Sequence, residues 1–429
     1  MTNNNILKNK NIHSNAFMSE LFVSKKYVEL NEAALSNLKK KPNDLDNLNA
    51  LALSYKLLGR TSKAEETFSL LLTLDCKKDF IFSNAGNFFY DLGKIGRSID
   101  CHQEALKLNP KNINSLNQTG LCLSNQGKDR EAIEYYKKSL DINNKDMETN
   151  VNIANSYRNL ESWREASNHY EISSNPLAKC QQLECLYLLG DKELFNEKLL
   201  NFSELNKPHP LAATLSSHAS IRYEQSDDFS FCNKPLEFIQ SSNLFKSNDL
   251  TDSLIREFID CLNNLKITKK QQSLIANGYQ SSGNIFLIDQ PPIQNLKTIV
   301  MNKIEDYKKK YNDGSATFLS QWPKNYFLYG WIIVLESGGS LSGHMHKEGW
   351  LSGSLYLERP TKNEEHDGDI IFSLHGSNYP SDEKFFPSKI INLDKADMVL
   401  FPSSLFHATI PFNSNKKRIT LAFDIIPIT

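Results

Sequence analysis

A chain of 429 residues with a formal net charge of −1 is long enough for two or three domains with cores of their own. No long run of one charge sign occurs, which argues against a nucleic-acid or anionic-membrane surface. The 7 cysteines are scattered without a C-x-x-C pair, so neither a disulfide framework nor a zinc knuckle is expected, and a reducing cytoplasm fits best.

Residues 1–20 are Asn-rich and expected to be disordered. They carry no apolar signal-like stretch, and no run of about 18 apolar residues follows. A soluble, unexported protein is the expectation. From 21 to 204 the sequence repeats itself. Gly59, Gly93 and Gly127 stand 34 residues apart, with Glu161 at the next step. Four residues before each lies a large apolar or aromatic side chain (Tyr55, Phe89, Leu123, Tyr157). Five after comes a small one (Ala64, Ser98, Ala132, Ala166), and nine after a ring (Phe68, His102, Tyr136, Tyr170).

This pattern resembles the tetratricopeptide repeat. Packing explains the slots: the small residue lets two helices approach, the ring fills the space between them, and the glycine turns the chain. A half unit near 20–42 and a degenerate unit near 176–204 are expected to cap the array. Stacked helix pairs make a groove suited to a protein or peptide partner. Asn84, Asn87, Asn117, Asn152 and Asn155 fall on the first helices, where they are either peptide-binding groups or solvated polar positions.

Residues 205–250, with Pro208, Pro210 and the turn-rich QSDDFSFCNKP, are expected to link two domains. Helices are predicted over Asp252–Leu265 and Ile293–Tyr311. Strands follow at 327–336, 351–357, 369–375, 388–393, 397–402 and 418–426. With so few helices there, residues 251–429 read as an antiparallel double-sheet or jelly-roll barrel.

The richest stretch is 331–357, WIIVLESGGSLSGHMHKEGWLSGSLYL. Side chains two apart on a strand point the same way, so His344 and His346, with Glu348 if the strand reaches it, form the beginning of a metal site. His407 follows a strand ending at Phe401-Pro402. Arg418 opens the last strand and is followed by apolar residues at both parities. A cation entering such a barrel needs an anionic partner. Tyr356 lies on the strand after H-x-H.

The segments HMH, LSGSLYL, LFPSSLFH and RITLAF resemble the 2-oxoglutarate- and Fe(II)-dependent oxygenases, most closely their bacterial and phage branch, over roughly residues 230–429. The resemblance implies a double-stranded β-helix (jelly-roll) barrel with flanking helices behind the α-solenoid of repeats. It also implies Fe(II), 2-oxoglutarate and O₂, with His344 and His407 as metal ligands. Arg418 would meet the distal carboxylate of 2-oxoglutarate, with Tyr356 as a partner for the same co-substrate. His346 stands where that family usually has a carboxylate. Two ligand sets are therefore open: His344, His346 and His407, or His346, Glu348 and His407. The first is preferred because Leu341 fills the apolar slot before the first ligand. The implied activity is hydroxylation of a protein, peptide or other substrate recruited by the repeats. The alternatives are a cupin-type metal protein without 2-oxoglutarate, and a non-catalytic scaffold. Against the cupin, Trp350 and Leu351 stand where its glutamate belongs. His366 and His375 are expected outside the site, and Asp424 to be structural.

Overall fold

The computed structural model describes residues 14–428, apart from 205–207, 228, 230, 233, 312, 313, 315 and 377. The chain divides into two compact units, Met1–Ser174 and Asn175–Thr429.

The first unit is a helical array. It opens with α1 (Asn15–Val23) and α2 (Tyr27–Leu38), then runs through α3 (Leu45–Leu57), α4 (Thr61–Thr73), α5 (Asp79–Asp91) and α6 (Ile95–Leu108). It ends with α7 (Ile113–Asn125), α8 (Asp129–Ile142), α9 (Met147–Asn159) and α10 (Trp163–Tyr170). From α3 onward these are four helical hairpins at the 34-residue period. Asp44, Asn112 and Asp146 cap α3, α7 and α9, each accepting a backbone N–H of the first turn. The small residues Ala64, Ser98, Ala132 and Ala166 are wholly buried. Facing them the fit is tighter still: a Cβ at Gly86 would lie 2.5 Å from the His102 ring. The hairpin turns need positive φ, and Gly59, Gly93 and Gly127 take it at +70°, +71° and +74°. Glu161 fills the same slot at +58°, a conformation that strains a residue with a Cβ.

The second unit begins with α11 (Pro176–Leu189), α12 (Lys192–Glu204) and α13 (Pro210–Arg222). Here the structure departs from the sequence reading. The expected repeat boundary at 204 is replaced by a division at 174/175, and the expected linker contains a buried helix. The reason is burial: Leu183, Leu186, Leu211, Leu215 and Ala219 share one apolar core with Trp350, Leu351 and Phe406. Pro208, Pro210 and the polar stretch from Gln225 to Pro235 suggested a linker, but they sit at the start of α13 and after its end. Residues 15–20, expected to be disordered, lie in α1, which Ser14 caps and which buries Met18. The rest of that expectation, 1–13, lies outside the described residues.

There follow β1 (Gln240–Asn243), α14 (Asp252–Asn264), β2 (Lys269–Lys270), β3 (Ile275–Ser281), α15 (Pro291–Lys310) and α16 (Thr317–Ser320). The barrel proper is β4 (Tyr326–His344), β5 (Leu351–Glu358), β6 (Ile370–Ser373), β7 (Ser388–Ile391), β8 (Asp397–Pro402), β9 (Phe406–Thr409) and β10 (Arg418–Pro427). Every pairing is antiparallel, in the order β1-β8-β5-β10-β4-β9-β6-β7, with β3 also on β4. This is a nearly closed antiparallel barrel of jelly-roll type. β4 turns its corner. Tyr326–Leu335 pairs with β10, whereas Leu341 and His344 pair with Thr409 and His407 of β9. The break between them is made by Gly338 at φ +72°.

The two-residue strand period then decides what faces inward. Arg418, Thr420, Ala422 and Asp424 of β10 line the interior, opposite Tyr356 and Ser354 of β5 and beside Tyr329 and Trp331 of β4. Leu421, Phe423 and Ile425 face the other way, into the core shared with α11, α13 and α15. No helix of the described residues is long and apolar enough to cross a membrane.

Two stability predictions follow from these environments. Glu161→Gly should stabilise the first unit by about 0.5–1 kcal/mol, because glycine relieves the left-handed strain at some entropic cost. Urea unfolding would reveal it, and an unchanged or lower midpoint would refute it. Burial holds His102 and His209 down to about 4 and His218 to about 3. The unfolded chain, titrating near 6.5, therefore binds more protons below that pH. Stability is intact above about pH 6.5 and falls as pH drops from there toward 4, by about 1–2 kcal/mol per buried histidine at pH 5. A urea midpoint independent of pH between 7 and 5 would contradict this.

Candidate metal centre

Three imidazoles meet inside the barrel. His344 ends β4, His407 lies on β9 directly opposite it as a ladder partner, and His346 follows just after the ladder stops. One nitrogen from each lies within 4.8 Å of the others. The Nε2 atoms of His344 and His346 are 3.3 Å apart, close to the roughly 3.0–3.4 Å between neighbouring nitrogens that each lie about 2.1 Å from one metal ion.

The tautomers can be read from the other ring nitrogens. His344 Nδ1 donates to the carbonyl of Ser342 at 2.8 Å, and His407 Nδ1 to that of Leu405 at 3.3 Å. His346 Nδ1 donates to Asp424 Oδ1 at 2.7 Å. All three protons are thus on Nδ1, and three Nε2 lone pairs converge. Burial, reinforced by the neighbouring imidazole His346, lowers His344 to about 4. Burial, reinforced by His344 and His346, holds His407 well below the ordinary range. Both stay neutral, the form that binds metal. Phe372 and Phe401 pack around the His407 ring and keep that side dry.

The cavity has a volume of about 940 Å³. Deep in it lies a second feature. Arg418 is 3% exposed, and no carboxylate is paired with it among the described residues. Its guanidinium stands 4.8 Å from the Tyr356 ring centroid. Arg418 Nε, Tyr356 Oη and Thr420 Oγ1 are all buried without a hydrogen-bond partner. Burial pushes Arg418 down to about 10 and raises the Tyr356 hydroxyl. A buried cation with no carboxylate paired to it is costly unless an anion completes the set. Toward the mouth, Tyr329 and Trp331 form a row of rings ending 5.6 Å from His346.

The structure brings His344, His346 and His407 together, places Arg418 and Tyr356 in the same cavity, and leaves Glu348 exposed on its wall outside the trio. His366 is bonded to Asn392, and His375 to His218; neither lines the cavity. Asp424, expected to be structural, has a specific structural role: it accepts from both His346 and Ser352 and fixes the imidazole. Two residues escaped the sequence reading: Ser352, which bonds Asp424 from behind, and Thr420 on the cavity wall. The signal was present in the parity of β10, since 418, 420, 422 and 424 share one face.

Comparison with known proteins bears on this geometry. Residues 330–424 match the family described as "Putative 2OG-Fe(II) oxygenase", and 103–134 match a tetratricopeptide repeat. The chain carries a tetratricopeptide repeat and a 2-oxoglutarate/Fe(II) oxygenase-family domain. The match is to the family, not to its bacterial and phage branch. The chain is also similar to the peroxisomal targeting signal receptor of Candida glabrata, 34% identical over 84 residues, 20% of this chain and 14% of that protein. The Saccharomyces cerevisiae receptor is 30% identical over 97 residues, 21% and 16% of the two chains. The matched span is thus under a fifth of these relatives' length. Among solved structures, Pseudomonas aeruginosa pilF shares 18% identity at a TM-score of 0.40, covering 44% of this chain and 89% of its own. A MamA structure shares 21% at 0.34, covering 39% and 87%.

The donor set fits a divalent transition metal: imidazole suits Fe, Zn, Cu and Ni, and only the third ligand departs from two histidines and a carboxylate. Alanine at His344, His346 or His407 should each abolish tight metal binding. Asp424→Asn should weaken it about 10–100-fold with the fold intact, and Glu348→Ala should leave it unchanged. Metal titration of the purified variants checks this; retention of wild-type affinity in His407→Ala would overturn the assignment.

Proposed function

We propose that the second unit is a 2-oxoglutarate- and Fe(II)-dependent dioxygenase that hydroxylates a protein, peptide or other substrate recruited by the repeats. The observation that carries this reading is the pairing, in one cavity, of three convergent Nε2 lone pairs with a buried, unpaired Arg418. His344, His346 and His407 would hold the iron. When bound, the iron supplies the redox centre at which the oxoacid and O₂ react. The remaining work belongs to the chain. Arg418 takes the distal carboxylate of 2-oxoglutarate through charge-assisted bonds, and the Tyr356 and Thr420 hydroxyls donate to the same group. Asp424 keeps His346 turned so that its Nε2 faces the metal. The apolar wall of Phe372 and Phe401 excludes water, and the Tyr329–Trp331 row guides the primary substrate inward.

Two observations support a peptide as the recruited partner. Asn87 Oδ1 and Asn117 Oδ1, on α5 and α7, are buried and unpartnered, and backbone N–H groups would satisfy them. A repeat stretch similar to part of a targeting-signal receptor fits the same role.

Arg418 gives the test. Replacing it with alanine leaves a buried carboxylate unpaired, at about 3–5 kcal/mol. Affinity for 2-oxoglutarate should fall by about two to three orders of magnitude, while iron content stays the same. Arg418→Lys should recover only part, since a point charge lacks the bidentate fork. The measurement is titration of 2-oxoglutarate into the anaerobic Fe(II) protein. Equal affinities, or no binding to the wild type, would sink the reading.

A further inference from the structure

We infer that α11, outside the family-matched segment, is part of the support of the metal centre: Glu184 holds, through Lys347, the turn that presents His346. The inference rests on the metal reading of the three histidines. His344 and His407 need no such device, because they are ladder partners and backbone pairing sets their separation. His346 stands beyond the end of β4, in a short irregular turn. Among the described residues its backbone makes two long bonds: His346 N donates to Ser403 O at 3.2 Å, and Gly349 N to His346 O at 3.3 Å. Asp424 orients the ring and lies close to Gly349 at the end of the turn.

Lys347, the next residue, supplies what is missing. Its Nζ donates to both oxygens of Glu184, at 2.8 and 2.6 Å. Tyr379 Oη donates to Glu184 Oε1 at 2.8 Å. An exposed lysine–carboxylate pair would contribute little to geometry. Here the Lys347 side chain is 39% exposed, but the Glu184 side chain, held by a second donor, Tyr379, is only 7% exposed. Its helix is itself immobilised, because Leu183, Leu186 and Tyr187 pack into the core that also contains Met345 and Trp350. The turn is therefore gripped on both sides, by its own apolar residues and by a buried carboxylate 163 positions earlier in the chain.

Cobalt(II), which reports imidazole ligation by its visible absorption, is the probe. It is titrated into the full-length wild type, Glu184→Gln, Lys347→Met and the double variant, and amide hydrogen exchange at 345–349 is followed without metal. The expected result is a roughly 10–100-fold weaker cobalt affinity in each single variant. The double variant should be no worse than either, because the two residues act as one device. Exchange at 345–349 should rise about tenfold in each. Cobalt affinity within twofold of wild type in Glu184→Gln, with only the melting temperature lowered, would overturn the inference and reduce the bridge to a stabilising contact. If the wild type takes up no cobalt, the metal reading fails separately. The exchange data then decide the grip, which unchanged rates at 345–349 would refute.

Discussion

Three imidazole lone pairs converging in one cavity repel one another, and the second unit is arranged to hold them there. The Nδ1 protons of His344, His346 and His407 are occupied by Ser342, Asp424 and Leu405. The rings thus cannot turn a proton inward to relieve the repulsion without losing a bond outside. Burial opposes the other escape, protonation. A site built this way is expensive in the absence of a cation, a cost that a bound cation would offset. The same logic with the sign reversed operates around Arg418, where a fixed positive charge waits on an anion. The cavity is thus polarised along its length, with cation-seeking nitrogens at one station and an anion-seeking guanidinium at the other. With a cation on the nitrogens, a ligand carrying two anionic ends would match both stations at once.

The barrel makes that polarity possible by elementary geometry. β10 threads the centre of the sheet between β4 and β5, and its even-numbered residues deliver Arg418, Thr420 and Asp424 to the interior. Its odd-numbered residues are apolar and anchor the helical layer. One strand therefore supplies the charge for the far station, the carboxylate that steadies a ligand at the near one, and much of the core behind both.

Much of this was legible in the residues. The repeat period needed only the recurrence of Gly59, Gly93 and Gly127, because each positive-φ turn is a local requirement. The strands at 351–358 and 397–402 are nearly continuous apolar runs, and their bounds came out almost as expected. The trio His344, His346 and His407 was found because two members are two apart on one strand and the third stands in a distinctive apolar setting. What stayed hidden depends on contacts distant in sequence. α13 looks like linker because its prolines mark ends, and only its burial against Trp350 and Phe406 reveals its role. Asp424 reads as one more polar residue in a strand until β5 and the 345–349 turn are folded over it. Glu184 carries no local signal at all, since its partners lie more than 160 residues downstream.

His344 and His407 face each other across the β4–β9 ladder, so their spacing is a property of strand register more than of side-chain choice. Register is quantised: a strand slips by whole residues, and each slip turns alternate side chains to the opposite face. The glycine corner at 338 is where β4 changes partner, and an irregularity between Leu341 and His344 sets three residues of β4 against two of β9. The centre should accordingly tolerate many substitutions around it yet almost no insertion or deletion between 338 and 344. Length in this short span, more than composition, is the quantity that descent within such a fold would have to conserve.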